Sequence, residues 1–217
     1  MTAEFPNLTF IGLSGIGKSY WTKRLAKSLQ LDRICIDDEI GKRLKSTLNK
    51  SDPNIRDLAS WLGFPFEDRY KVNSKIYLEI EEETTKQALN LIKSTQNKFI
   101  LDTTGSFIYL SDQLCSEVKK HTKIIYLELP EADFTPMFEQ FIEHPKPVIW
   151  GDKFKFSEDA DKLELLKKQY PDLIKWRAKK YSKLADLKIS IPINERKTLT
   201  TTQLKNYLIN TLSKLKK

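Results

Sequence analysis

Short β-rich apolar runs alternate with longer stretches of helical periodicity along this chain. Asn7-Leu8-Thr9-Phe10-Ile11 predicts a first strand, and a helical pattern follows to about Gln30 with Trp21, Leu25 and Leu29 on one face. Arg33-Ile34-Cys35-Ile36 predicts a second strand that stops at Asp37-Asp38-Glu39, where acids suit the first turn of a helix. Lys98-Phe99-Ile100-Leu101-Asp102 is the third strand. Lys123-Ile124-Ile125-Tyr126-Leu127-Glu128-Leu129 is the fourth, closed by Pro130, and residues 187–193 are the fifth, interrupted by Pro192. Helical stretches separate all of them, so the pattern predicts an α/β fold with a parallel sheet. Ligands of such sheets bind outside the carboxyl ends of the strands, and Gly12, Asp37 and Asp102 fall there.

The connections add detail to a single domain over residues 1–217. From 51 to 69 the pattern loosens into Asp52-Pro53-Asn54 and Leu62-Gly63-Phe64-Pro65-Phe66, which predicts a mobile substrate-side insert within about 43–75. The long helical pattern after it carries Val72, Ile76 and Ile80 at four-residue spacing, with Glu79 and Glu81-Glu82-Glu83 read as solvated acids. His144-Pro145-Lys146-Pro147-Val148-Ile149-Trp150-Gly151 opens a basic segment to Asp161 that predicts a lid over phosphates, with a rigid surface connection as the alternative. A helix then places Ile174, Arg177, Tyr181 and Ala185 on one stripe, and a last helix carries Leu204, Leu208, Leu212 and Leu215. An inward arginine is costly unless an anion or carboxylate meets it, so Arg177 is a candidate for binding a phosphate or substrate anion.

Charge changes the picture little. The chain has 217 residues and a net charge of +8, but the excess is lysine dispersed on helical patterns apart from the run at 214–217. That reads as a solvated basic surface rather than a nucleic-acid footprint. No apolar run approaches the roughly 18 residues needed to span a bilayer, and no charged-then-apolar leader precedes the first strand, so a cytoplasmic location is expected. Cys35 and Cys115 lie far apart without metal spacing and are expected as reduced, buried thiols.

Residues 12–19, GLSGIGKS, change it more. The stretch matches G-x-x-x-x-G-K-[ST] between a strand and a helix, the setting in which successive backbone N–H groups converge on a phosphate at a helix N-terminus. ATP is the expected ligand, bound by Gly12, Ser14, Gly15, Ile16, Gly17, Lys18, Ser19 and Tyr20. Lys18 is expected at the β- and γ-phosphates, and the Ser19 hydroxyl at Mg2+.

This phosphate loop, Ile36-Asp37-Asp38-Glu39-Ile40, the turn after the third strand, Ile125-Tyr126-Leu127-Glu128-Leu129-Pro130, Lys146-Pro147-Val148-Ile149 and Arg177-x-x-x-Tyr181-x-x-x-Ala185-Asp186 occur in the order seen in shikimate kinases. The chain resembles that family over residues 8–191. The resemblance implies a P-loop, nucleoside-monophosphate-kinase-like fold with sheet order 2-3-1-4-5. It also implies ATP and Mg2+ as cofactors and transfer to a small hydroxyl-bearing acceptor such as shikimate; a monomer is expected. It further implies that Asp37 holds and helps deprotonate the acceptor hydroxyl, that Lys146 stands where a lid arginine stabilises the transferring group, and that Arg177 grips the substrate carboxylate.

The departures from the family are specific. Its first acid on strand two falls on Cys35, and Asp102, ending the neighbouring strand, is placed to supply the missing carboxylate for the metal beside Ser19. Its glycine triplet is Thr103-Thr104-Gly105 here, leaving Gly105 to line the substrate. Its second carboxylate-gripping arginine aligns with Leu78, with Arg69 from the insert as the available substitute. Losing one partner of a buried pair costs about 3–5 kcal/mol, so the family's chemistry carries over ahead of its substrate. A nucleotide or polynucleotide kinase, and a nucleotide-binding module without catalysis, are the alternative readings.

Overall fold

The computed structural model describes residues 5–157, 160–195 and 198–214. Five parallel strands form one sheet: β1 (Leu8–Ile11), β2 (Asp32–Cys35), β3 (Phe99–Asp102), β4 (Lys123–Glu128) and β5 (Leu187–Ser190). Their order across the sheet is β2-β3-β1-β4-β5, as the resemblance implied. Every residue of β1 and β3 is buried, because central strands of a parallel sheet are covered by helices on both faces. The register pairs Phe10 with Asp102, Cys35 with Asp102, and Phe10 with Ile125. That alignment brings the carboxyl ends of β1, β2 and β3 level, so the residues that follow them share one edge.

The helices are α1 (Lys18–Leu29), α2 (Ile36–Arg43), α3 (Lys45–Leu48), α4 (Ile55–Leu62), α5 (Asp68–Ser94), α6 (Asp112–His121), α7 (Phe134–Glu143), α8 (Lys162–Leu184) and α9 (Thr201–Lys214). Among the described residues no helix is long and apolar enough to cross a membrane. Cys35 and Cys115 are free and buried. Leu204, Leu208 and Leu212 are buried on α9, while Leu215 and the end of the lysine run lie outside the described residues.

The structure corrects several expectations. Residues 51–69 are not merely loose: Asn54 begins α4 with a reciprocal capping box, its side chain accepting from the Arg56 and Asp57 N–H groups while the Asp57 carboxylate accepts from the Asn54 N–H. Pro53 hides this start, since a proline beside a polar pair also reads as a turn. The expected stripe on α5 is displaced. Val72 is 61% exposed, and the buried face is carried instead by Tyr70, Tyr77, Glu81, Thr84, Thr85, Ala88, Leu89 and Ile92. Glu81, expected in solvent, is completely buried. β5 stops at Ser190; Pro192 lacks an N–H to continue the ladder, and Ile193 opens a 3-10 turn.

The proposed lid segment is anchored in its middle. Val148, Ile149 and Trp150 are buried, the Tyr70 hydroxyl donates to the Val148 carbonyl at 3.2 Å, and the Trp150 N–H donates back to that hydroxyl at 2.6 Å. Glu158 and Asp159 of the same segment lie outside the described residues.

Candidate active site

The loop after β1 is shaped by what surrounds it. Gly12 has φ +144°, and a Cβ there would lie 2.6 Å from the Leu127 carbonyl oxygen, so neither conformation nor space admits a side chain. Gly105 supports the loop from below: a Cβ on it would lie 2.7 Å from the Ser14 nitrogen. Its predicted place in the site is therefore beneath the phosphate loop rather than on the wall of the open cleft. Ile16 turns its side chain into the core, and its N–H is satisfied by the Leu13 carbonyl at 3.2 Å.

Lys18 begins α1 and folds back over the loop, donating to the Gly12 carbonyl at 3.0 Å and the Leu13 carbonyl at 3.1 Å. Burial lowers its pKa, with Asp102 and Asp37 opposing that shift. A cleft of about 1120 Å3 opens beside it, lined by Ser14, Gly15, Gly17, Lys18, Ser19, Tyr20, Asp37 and Lys146 among others. Lys146 Nζ lies 3.7 Å from the Cβ position of Gly15, so the segment before Val148 delivers its charge to the loop. Tyr20 stands at the rim, half exposed, with the Arg24 guanidinium 3.6 Å from its ring centre.

Asp37 enters in the first turn of α2. The Tyr77 hydroxyl donates to its Oδ1 at 3.0 Å. Burial pushes the carboxyl up to about 6, while Lys18 and the Tyr77 hydroxyl hold it down. A carboxylate of that basicity beside Lys18 is suited to accept a hydroxyl proton near neutral pH. The thiol at Cys35 is pushed up by burial and by the neighbouring aspartates, so it stays protonated and inert.

Asp102 is 1% exposed and is met by a residue that the sequence pattern did not single out. Arg33 Nη2 donates to its Oδ2 at 2.5 Å, Thr22 Oγ1 donates to the same oxygen at 3.0 Å, and Arg33 Nε donates to Thr22 Oγ1 at 3.0 Å. The available signal was a basic residue two places before the end of β2, beside the strand that ends in Asp102. Oδ1 of Asp102 is buried with no partner among the described residues, an oxygen still able to serve a cation or its water. Among the described residues no group of three or more His, Cys, Asp or Glu could hold a metal by itself. Mg2+ fits such a site, because it usually keeps several waters and takes one or two protein oxygens beside phosphates. The donors here would be the Ser19 hydroxyl and Asp102.

Behind Asp37, the Glu81 carboxylate accepts hydrogen bonds from the Thr104 and Ser106 hydroxyls. Burial raises its pKa to about 7, with the two hydroxyls opposing. A carboxyl whose pKa is raised on folding keeps its proton in the native state after the unfolded chain has lost it. The unfolded state then binds fewer protons, and stability falls as pH rises from about 4.5 to about 7. The loss expected from Glu81 over that window is about 3 kcal/mol. In Glu81→Gln this contribution to the slope is expected to vanish, as read from urea melts at pH 4.5 and pH 7.5.

The structure does not bring the two predicted arginines to the cleft. Arg177 is 2% exposed on α8, donating to the Gly105 carbonyl at 3.3 Å and to the Ile149 carbonyl, and the Tyr181 hydroxyl donates to the same Gly105 oxygen at 2.5 Å. The inward arginine is thus met by main-chain carbonyls. Arg69 pairs with Glu67 at 2.5 Å and lines a neighbouring cavity of about 380 Å3 that shares Lys146 with the cleft.

No family model matches the chain. Shikimate kinase from Francisella tularensis subsp. holarctica is 30% identical over 145 residues, covering 65% of this chain and 78% of the relative; the Francisella philomiragia enzyme aligns to the same extent. Among solved structures, shikimate kinase from Acinetobacter baumannii in complex with shikimate matches with a TM-score of 0.59 at 18% identity, over 98% of this chain and 95% of that one. Shikimate kinase from Bacteroides thetaiotaomicron gives 0.62 at 13% identity, over 96% and 98%. Dephospho-CoA kinase from Campylobacter jejuni gives 0.54 at 13% identity, over 97% and 98%, so the backbone likeness is to the fold as a whole. The sequence relationship is narrower than the fold, and with the phosphate loop and Asp37 meeting in one cleft it leads to one conclusion: the chain belongs to the shikimate kinase family.

Proposed function

We propose that this protein is an ATP-dependent kinase that transfers the γ-phosphoryl group to a hydroxyl of a small acceptor. The observation that carries the reading is the single cleft in which Lys18, Ser19, Lys146 and Asp37 face the same space. Phosphoryl transfer needs positioning and charge stabilisation more than covalent chemistry, and these residues divide that work.

The loop N–H groups and Lys18 hold the phosphate chain. Lys146 places a second positive charge at the loop, where charge spreads over the transferring group. Asp37, fixed by Tyr77, orients the acceptor hydroxyl and takes its proton. Mg2+, when bound by Ser19 and Asp102, supplies neutralisation of phosphate charge. Shikimate is the acceptor of the family, but the Leu78 substitution and the placement of Arg177 and Arg69 do not favour it here.

The test is ADP release from Mg-ATP in the presence of hydroxylated acceptors, with Lys18→Ala as the blank. Release that requires an acceptor and disappears in the blank supports the proposal. ATP binding without acceptor-dependent release contradicts it. Lysine at position 146 retains charge but lacks a planar, bidentate fork, so Lys146→Arg is expected to raise kcat several-fold, by about 1 kcal/mol of barrier. A slower Lys146→Arg enzyme would remove Lys146 from this role.

A further inference from the structure

Beyond Asp37 the cleft continues between α2, α4 and α5, where its wall includes Asp38, Glu39, Asp52, Thr84 and Gln87. The cations lining this end are Arg33 and Lys42, and both already have acid partners; Arg43 reaches the wall from outside the lining, its Nη2 donating to Gln87 Oε1 at 2.5 Å. Arg33 is committed to the buried Asp102, and also lies 3.8 Å from Asp38; Lys42 Nζ lies 2.6 Å from Glu39. Asp52 makes no ion pair among the described residues. Thr84 is buried in the same wall, with a hydroxyl that has no partner among the described residues.

A carboxylate entering here meets acids, and the two arginines expected to grip it are held elsewhere. Arg177 is tied to carbonyl oxygens, and Arg69 to Glu67 in the neighbouring cavity. The chain as a whole carries +8, so acids gathered on one wall of the reaction cleft run against the general surface field and select for positive charge at that spot.

We infer that the acceptor is a hydroxylated amine of the amino sugar, aminocyclitol or amino alcohol class, with a hydroxyl at Asp37 and its ammonium toward Asp38 and Asp52. The inference rests on the kinase reading above. Asp37 takes the hydroxyl proton, the acceptor oxygen bonds to the γ-phosphorus, and the bond from that phosphorus to the bridging oxygen of ADP breaks, so ADP leaves with the electron pair.

The experiment compares glucosamine, 2-deoxystreptamine, myo-inositol and shikimate with the full chain and saturating Mg-ATP. Both ADP release and calorimetric binding to protein loaded with β,γ-imido-ATP are read. The amines are expected to exceed the neutral and carboxylated compounds at least tenfold in kcat/KM. Asp38→Asn combined with Asp52→Asn is expected to reduce that preference about tenfold, through KM rather than kcat, as two screened ion pairs would. Equal or better use of inositol or shikimate overturns the inference, as does a preference unchanged in the double variant. If no compound releases ADP although nucleotide binds, the kinase reading fails. Binding then decides the acceptor class: saturable amine binding that weakens in the double variant supports it, and absent amine binding overturns it.

Discussion

Replacing Asp37 with asparagine is expected to lower kcat by about 10^2- to 10^4-fold, the range for loss of a positioned general base, while ATP binding persists. The reasoning is geometric before it is electrostatic. Asp37 shares the cleft with Lys18, its Oδ1 is held by Tyr77, and no other carboxylate among those lining the cleft is tied to the floor in this way. Its raised pKa of about 6 adds a signature. The base works ionised, so kcat/KM is expected to rise with pH through about 6 and level off above it, whereas Asp37→Asn loses that limb. Tyr77→Phe removes a hydrogen bond that favours the ionised form, and its limb is expected at higher pH. An unchanged limb in Tyr77→Phe, or near-normal kcat in Asp37→Asn, would show that Asp37 is not the group accepting the proton.

Arg33→Ala is expected to destabilise the fold by about 3–5 kcal/mol, because it strands a buried carboxylate. Asp102 is fully enclosed at the end of β3 between β1 and β2, and its Oδ2 is met among the described residues by Arg33 and Thr22. The companion variant Arg33→Ala with Asp102→Asn removes the charge along with its partner. It is expected to regain more than half of the loss, as measured by urea unfolding. A similar loss in both variants would mean that Arg33 stabilises through packing of its stem rather than by charge.

The parts of this molecule that were legible in its sequence are those written locally. The phosphate loop is a contiguous stretch with glycines at fixed spacing, and Gly12 needs its positive φ whatever surrounds it. The placement of Asp37 and Asp102 at one sheet edge was legible because each follows or ends a β-branched run, and strand ends of a parallel sheet meet there. What was not legible depends on partners distant in the chain. Glu81 sits among other acids and reads as solvated, yet the hydroxyls of Thr104 and Ser106 arrive from beyond β3 to enclose it. Arg177 reads correctly as an inward arginine that requires an acceptor, but nothing in helical spacing says that the acceptors are the carbonyls of Gly105 and Ile149. Arg33 is not legible for a related reason: its role exists only because β2 pairs with β3 in a register that sets Cys35 opposite Asp102.

The most direct measurement is transfer of label from γ-32P ATP, in the presence of Mg2+ and the acceptor panel, with chromatographic separation of organic phosphate from inorganic phosphate. The account predicts a labelled organic phosphate formed by the wild-type chain and absent from Lys18→Ala and Asp37→Asn, although Asp37→Asn still binds ATP. Label that stays on bound ATP, or passes only to inorganic phosphate at the same rate in wild type and Asp37→Asn, would contradict it.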